Sequence, residues 1–410
     1  MTLKVVLIGP RGTVYKDGKA QTKLLNDLIL FIRRMHQRGV HVGLWSQHPA
    51  TYTNGGQTET LEGYLSRQSG HNVPFYRAYH GNLPVRSRNG AVNPILQQLG
   101  VGLHETVLVG NETRDMQAGV NNKLLLIRPE WYPSSLVYGF PVATLGELSQ
   151  FCEIFGLRQH PIYWSVDQGN VQVRSMGPFS TYRPDFAVFG ADARNVAKHG
   201  IGERQFWFWM LVSSLYFSGL MHQVDFICPF PGHDPSSDSA VKQGVDAVLS
   251  TLGKCFRKDY LPDLIVRHQA SIKSRTAKPD EKTFLNQLNT LRLNKFPRHY
   301  ERDPNQTPLK LKNKRILVVD DFCTNGRSLD VARAYIEAAG GAAILFSWLK
   351  TINTSFLHMS PEPSLKPFEV NRLVSEPSFT EFRYSSHIVN SNAPSEIDAA
   401  LDGYKKWKWP

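Results

Sequence analysis

The chain is poor in cysteine and has no hydrophobic run long enough for a membrane span. Its four cysteines, Cys152, Cys228, Cys255 and Cys323, lie far apart without C-x-x-C spacing, which fits neither a disulfide framework nor a zinc site. The longest apolar stretch, FWFWMLVSSLYFSGLM (206–221), falls short of the roughly eighteen residues of a spanning helix and is interrupted by serine and glycine, so it predicts a buried helix. MTLKVVLIGP at the N-terminus has too short an apolar core for a signal peptide and no small-residue cleavage site. There is no low-complexity tract and no internal repeat. These absences predict a soluble, cytoplasmic globular protein without membrane contact. At 410 residues the chain is too long for one ordinary core, so two domains are expected.

Positive charge is plentiful. Lysine and arginine exceed aspartate and glutamate by 47 − 35 = 12, and between Lys254 and Arg315 the count is 16 against 6. A block of this kind attracts phosphate, on a small polyphosphate or along a nucleic acid; a solvated, salt-screened face without a partner fits equally well.

Strand and helix signals alternate along the chain. KVVLIG (4–9), VHVGLWS (40–46), ETVLVGN (105–111) and NKLLLIRP (122–129) read as strands, with helices over 24–39 and 92–101. Continuous apolar strands alternating with helices predict an α/β fold whose parallel sheet is covered on both faces. Residues 131–159 read as a connection. A second α/β domain is expected over 160–385, with strands at QVDFICPF (223–230), LIVRHQ (264–269) and AAILFSWLKT (342–351). A helix follows the first of these, a basic loop spans 270–282, and a helix is expected over 283–295. Residues 386–410 read as a C-terminal tail.

The sharpest chemistry lies in RILVVDDFCTNGRS (315–328). Aliphatic residues run into Asp320 and Asp321, and a small-residue loop then opens a helix. In a parallel sheet the carboxyl ends of strands are the ligand side. The loop amides and the helix dipole suit a phosphate, Thr324 and Ser328 add hydroxyls, and Gly326 permits close approach. Two acids beside a phosphate nest would repel it unless they serve another part of the ligand, such as a ribose diol or a bridging divalent cation. The ligand implied is a sugar 5-phosphate.

This pattern resembles the signature of the type I phosphoribosyltransferases, with Asn325 as its one departure. CPFPGHDPSSDS (228–239) is similar to the pyrophosphate loop of their ComF branch, and 264–295 to the basic segment before the signature strand. The resemblance implies a phosphoribosyl pyrophosphate (PRPP) site. Asp320 and Asp321 would hold the diol, and Thr324, Asn325, Gly326, Arg327 and Ser328 the 5-phosphate. Pro231, Gly232 and His233, with Arg267, Lys273 and Arg275, would stabilise departing pyrophosphate. Magnesium would come with PRPP and a nitrogenous base or nucleotide would be the acceptor. A role as a nucleotide-consuming stress or toxin effector belongs to the same reading. The alternative is a non-catalytic PRPP or nucleotide sensor that binds nucleic acid through 254–315.

The first segment (1–130) resembles the haloacid dehalogenase (HAD) phosphatases with their chemistry removed. Gly9 stands at the nucleophile position, Arg11 at the acid/base position, Asn93 where lysine is expected and Asn111 in place of one acid. Gly12, Thr13, Ser46 and Asp115 are retained. That chemistry requires an attacking aspartate and a carboxylate cluster for magnesium. The expectation is an inactive, HAD-like module that contacts a protein partner or a second copy of the chain.

Overall fold

The computed structural model describes residues 2–16, 19–54, 56–78, 83–235, 240–272, 283–298 and 308–410. The first sheet has six strands: β1 (Val5–Ile8), β2 (His41–Ser46), β3 (Phe75–Arg77), β4 (Thr106–Val109), β5 (Leu125–Pro129) and β6 (Phe140–Val142). All run parallel in the order β6-β5-β4-β1-β2-β3. Every residue of β1 and β4 is buried, as a sheet covered on both faces demands. Helices α1 (Thr22–Gln37), α2 (Leu61–Ser69), α3 (Asn93–Leu99), α4 (Thr113–Asn121) and α5 (Leu145–Gln150) flank it. On α1 the buried residues Leu25, Leu28, Ile29, Ile32 and Met35 form one stripe at helical spacing. The strand order turns back at β1, so a crevice opens at the carboxyl ends of β1 and β4.

The second sheet joins β7 (Trp164–Gln168), β8 (Val171–Phe179), β9 (Phe226–Pro229) and β10 (Asp259–Tyr260) to two long strands. A separate hairpin, β11 (Ile265–Arg267) with β12 (Leu291–Leu293), precedes those strands, β13 (Arg315–Cys323) and β14 (Ala342–Thr351). The order is β7-β8-β14-β13-β9-β10, parallel except for the edge pair β7–β8. Its helices are α6 (Pro184–His199), α7 (Arg204–Phe217), α8 (Ala240–Phe256), α9 (Leu285–Leu288), α10 (Arg327–Ala338) and α11 (Ala393–Lys406). The helix expected over 283–295 is confined to the four residues of α9. Leu291 and Leu293 point inward with Arg292 between them, a period of two that forms a strand.

The run at 206–221 forms α7, apolar on all sides and buried along nearly its whole length, as expected of a core helix. It joins the two sheets. One continuous apolar cluster takes in Val6 and Val109 of the first sheet, α7, and Leu317 and Phe346 of the second. The Trp207 ring stacks 6.0 Å from Trp348, and Tyr216 donates to the Thr106 carbonyl at 2.5 Å. Each large side chain so buried contributes about 1.5–3 kcal/mol. The C-terminal residues close back on the first unit: Trp407 lies 4.9 Å under the Arg34 guanidinium, and Trp409 packs against Gly146. Among the described residues no helix is long and apolar enough to cross a membrane.

Candidate functional site

Two strand-end crevices carry the residues singled out by the sequence. In the first, Asp115 sits in the opening turn of α4, fully buried, and its Oδ2 accepts the Glu112 amide at 2.9 Å. Its Oδ1 is paired with Arg86, whose Nη1 also donates to the Trp45 carbonyl at 3.1 Å. Burial pushes the Asp115 carboxyl upward, and Arg86 works against that shift. Gly9 and Gly110 provide the room. A Cβ on Gly9 would overlap Asp115 Oδ1 and lie 3.0 Å from Arg86 Nη1. The chain then covers its own crevice: Trp131 Nε1 donates to Thr13 O at 2.8 Å, and Asn111 Nδ2 to Tyr132 O at 3.0 Å. Thr13 Oγ1 and Asn111 Oδ1 are buried without a hydrogen-bond partner. Ser46 is buried at the end of β2, whereas Arg11 and Asn93 are exposed; Asp17 lies outside the described residues.

Magnesium does not fit this crevice. It demands about six oxygens in octahedral array, and here the one carboxylate retained at the strand ends is already neutralised by a guanidinium. Among the described residues no group of three or more His, Cys, Asp or Glu side chains is placed to hold a metal.

The second crevice lies at the end of β13. The strand continues through both acids, pairing Asp320 with Ser347 and Cys323 with Lys350. Asp320 Oδ1 accepts the Asp321 amide at 2.9 Å, and Asp321 Oδ1 accepts the Phe322 amide at 2.8 Å. The other Asp321 oxygen is paired with Lys198 of α6. Burial, then the adjacent Asp321 charge, pushes Asp320 up to about 8. Burial opposes the Lys198 charge, yet the two carboxylates outweigh it and raise its pKa. The Phe322 ring packs 4.4 Å from Phe179 and walls one side.

Beyond the acids, Gly326 caps α10 in a left-handed conformation (φ 76°), and a Cβ there would enter the Phe356 ring. Glycine is therefore required by packing as well as by backbone. Lys350, fully buried, donates to the carbonyls of Thr324 and Thr354 and to Thr354 Oγ1 at 2.8 Å. Burial lowers its pKa. By holding the Thr324 carbonyl back, Lys350 fixes the turn that leads into α10. Asp330 N bonds to Gly326 O at 2.8 Å, and no acceptor among the described residues takes the amides of Arg327, Ser328 and Leu329. Such an amide set suits an anion. Thr324 is exposed, Asn325 and Ser328 are half-buried, and Arg327 lies 5.6 Å over the Phe284 ring.

Arg267 is brought beside this crevice but is occupied. Its guanidinium donates to Gly232 O, to Thr290 Oγ1 at 2.6 Å and to Gln287 Oε1 at 2.8 Å. Burial lowers its pKa to about 10, with Asp320 pulling the other way. It thus fixes the 229–235 loop, where Pro231 is half-buried and Gly232 and His233 are exposed; the His233 carbonyl takes the Ser271 amide at 2.9 Å. Lys273 and Arg275 lie outside the described residues. Sequence reading missed Lys198, Lys350 and Arg86. Lys350 alone left a signal, as a lysine in an otherwise apolar strand. Cys323 is buried, and burial raises its thiol to about 11, in keeping with an incidental role.

No family model matches the chain, and no curated protein matches it. Solved structures resemble about 35% of the chain at its N-terminus. The cobalt-bound deoxy-D-mannose-octulosonate 8-phosphate phosphatase from Haemophilus influenzae is 14% identical, covering 37% of this chain and 87% of that one, with a TM-score of 0.26. D,D-heptose 1,7-bisphosphate phosphatase from B. bronchiseptica, complexed with magnesium and phosphate, is 16% identical over 36% and 97%, TM-score 0.26. A HAD-superfamily hydrolase from Geobacter sulfurreducens is 10% identical over 36% and 94%, TM-score 0.26. Likeness at this level carries no argument about chemistry, and the parallel α/β architecture of the first unit rests on its own strand order.

Proposed function

We propose that the second crevice binds PRPP and that the protein transfers phosphoribose to or from a nitrogenous acceptor. The observation that supports this reading is the pairing, at the end of one central strand, of two adjacent carboxylates with a helix terminus whose amides lack protein acceptors. Asp320 and Asp321 accept from the ribose hydroxyls, and the amides of 326–329 take the 5-phosphate. The bond from the anomeric carbon to pyrophosphate breaks, and its electron pair leaves with pyrophosphate. The acceptor nitrogen supplies the pair for the new bond. Magnesium arriving with PRPP would offset the charge of the leaving group. The 229–235 loop, positioned by Arg267, faces that group.

One observation favours a second reading, a sensor that binds PRPP without turnover. Arg267, the described cation expected to stabilise pyrophosphate, is engaged with three protein acceptors. Calorimetry with PRPP and magnesium tests the site itself. Each charge-assisted bond is worth about 1.5–3 kcal/mol, so Asp320→Asn with Asp321→Asn should weaken PRPP on the order of 100-fold or more. Equal affinity in wild type and double variant would remove the site assignment. Pyrophosphate release against a panel of bases and nucleosides then separates transferase from sensor.

A further inference from the structure

A basic cavity lies at the opposite edge of the sheets. A cavity of about 170 Å³ opens where the C-terminus of α4 in the first unit meets the C-terminus of α8 in the second. Lys123 comes from the turn after α4, His222 from the turn after α7, and Lys254, Arg257 and Lys258 from the end of α8; among the described residues no Asp or Glu lines it. Helices that follow strands return to the strands' starting edge, so this cavity is remote from both crevices described above.

Burial, with His104 adding to it, pushes the His222 imidazole down to about 4, so the cations are the four lysine and arginine side chains, and two of these are held at a conformational cost. Lys123 has φ 56° and Arg257 φ 50°, left-handed values that favour glycine. Each is the residue just past a helix that closes by a back-bond, Leu124 N to Gly119 O at 2.8 Å and Lys258 N to Gly253 O at 2.9 Å. Glycine is the ordinary occupant of that place. Cations do complement helix C-termini, and that accounts for one or two such residues. It does not account for two separate helix ends delivering long basic side chains, in a backbone unfavourable to them, to one cavity. The charges also crowd one another: burial lowers the Lys258 pKa, with Lys123 and Lys314 lowering it further against the pull of Asp225. Asp225 is engaged with Lys314 Nζ at 3.6 Å and with the Arg315 amide at 2.9 Å. The inner wall is apolar, formed by Leu126, Met221 and Phe256.

We infer that this cavity binds a small organic phosphate, its phosphoryl group among Lys123, Arg257 and Lys258 and its carbon frame against the apolar wall, joining the two units through one ligand. The test is calorimetry on the full chain with ribose 5-phosphate as the probe. It is run in the Asp320→Asn/Asp321→Asn background so that the proposed PRPP crevice does not contribute. Binding should persist there and fall at least tenfold on adding Lys123→Glu and Lys258→Glu. Lys123→Gly, which suits the left-handed backbone, should weaken binding about fivefold while the melting temperature holds or rises. Inorganic phosphate should bind more weakly than ribose 5-phosphate. Ribose 5-phosphate that does not bind in this background, or that binds undiminished in both lysine variants, would overturn the site. Inorganic phosphate binding as tightly as the sugar phosphate would overturn its organic character.

Discussion

The two crevices lie at the carboxyl ends of central parallel strands, one in each sheet, and have met opposite fates. In the first, Asp115 faces a guanidinium, Gly9 and Gly110 give up their side-chain space to that pair, and Trp131 and Tyr132 cover it. In the second, two acids share a strand end with one cation, Lys198, and a helix terminus offers amides outward. A carboxylate paired inside the protein has become part of the fold. A carboxylate crowded by a like charge remains available to a ligand. The same residue type on the ligand side of a parallel sheet thus reports different chemistry according to how its charge is matched.

Removing the match in the first crevice should have the largest effect. Arg86→Ala leaves Asp115 buried and unpaired, a loss of about 3–5 kcal/mol measurable by urea denaturation. A loss under about 1 kcal/mol would mean that the pair is incidental and the crevice still adaptable. The same closure predicts that the full chain shows no magnesium-dependent turnover of p-nitrophenyl phosphate. Gly9→Asp should not restore it, because the new side chain meets Asp115 and Arg86. Turnover that vanishes on Asp115→Ala would reverse the comparison.

How far this contrast was legible in the sequence follows from the reach of each signal. Apolar runs gave β1, β2, β4, β5, β9, β13 and β14, because a buried parallel strand writes its environment into consecutive residues. The acids of 320–321 were readable for the same reason, as the point where such a run stops. Helix α4 and the antiparallel strands Thr51–Asn54 and Gln57–Thr60 were missed; α4 is nine residues with only Asp115, Ala118 and Gly119 buried, too few for a periodic stripe. Arg86 and Lys198 were invisible because their partners lie 29 and 123 residues away, and nothing local marks an arginine or lysine that will be paired through the fold. The tail at 386–410 carries no local mark of the packing of Trp407 and Trp409 for the same reason. Their partner, Arg34, stands near the other end of the chain.

An intermediate effect is expected at Gly326. Gly326→Ala combines a left-handed backbone with a Cβ driven into Phe356 and should cost about 1–3 kcal/mol. Because the displaced turn carries the amides of 327–329, PRPP affinity should fall more than stability alone explains. Denaturation and calorimetry on the same preparation read the two losses separately. Unchanged PRPP affinity in a destabilised Gly326→Ala would assign this glycine to packing alone and sever the turn from the ligand.

The smallest effect sharpens the contrast most directly, because it asks whether Asp320 is held at a loss. Its folded pKa of about 8 lies above that of an unfolded aspartate, through burial first and Asp321 second. The folded state therefore keeps a proton that the unfolded state releases between about pH 4 and 8, and wild-type stability should decline as pH rises through that window. Above pH 8 the whole penalty is in place. Asp320→Asn cannot ionise, so its melting temperature relative to wild type should climb from about pH 4 to about pH 8 and then level. The pKa of about 8 already includes the opposing pull of Lys198, and a gain of at least about 2–4 °C, the change that ~1 kcal/mol brings in a domain of 150–250 residues, is the expected plateau. In the first crevice burial also raises a carboxyl, Asp115, with Arg86 opposing the shift; there Asp115→Asn leaves the buried guanidinium without its charge partner and should lower the melting temperature. Thermal melts of both variants across pH 4–9 decide the matter. If Asp320→Asn instead lost stability at pH 8.5, its carboxylate would be matched inside the protein as Asp115 is, and the second crevice would be closed on itself like the first.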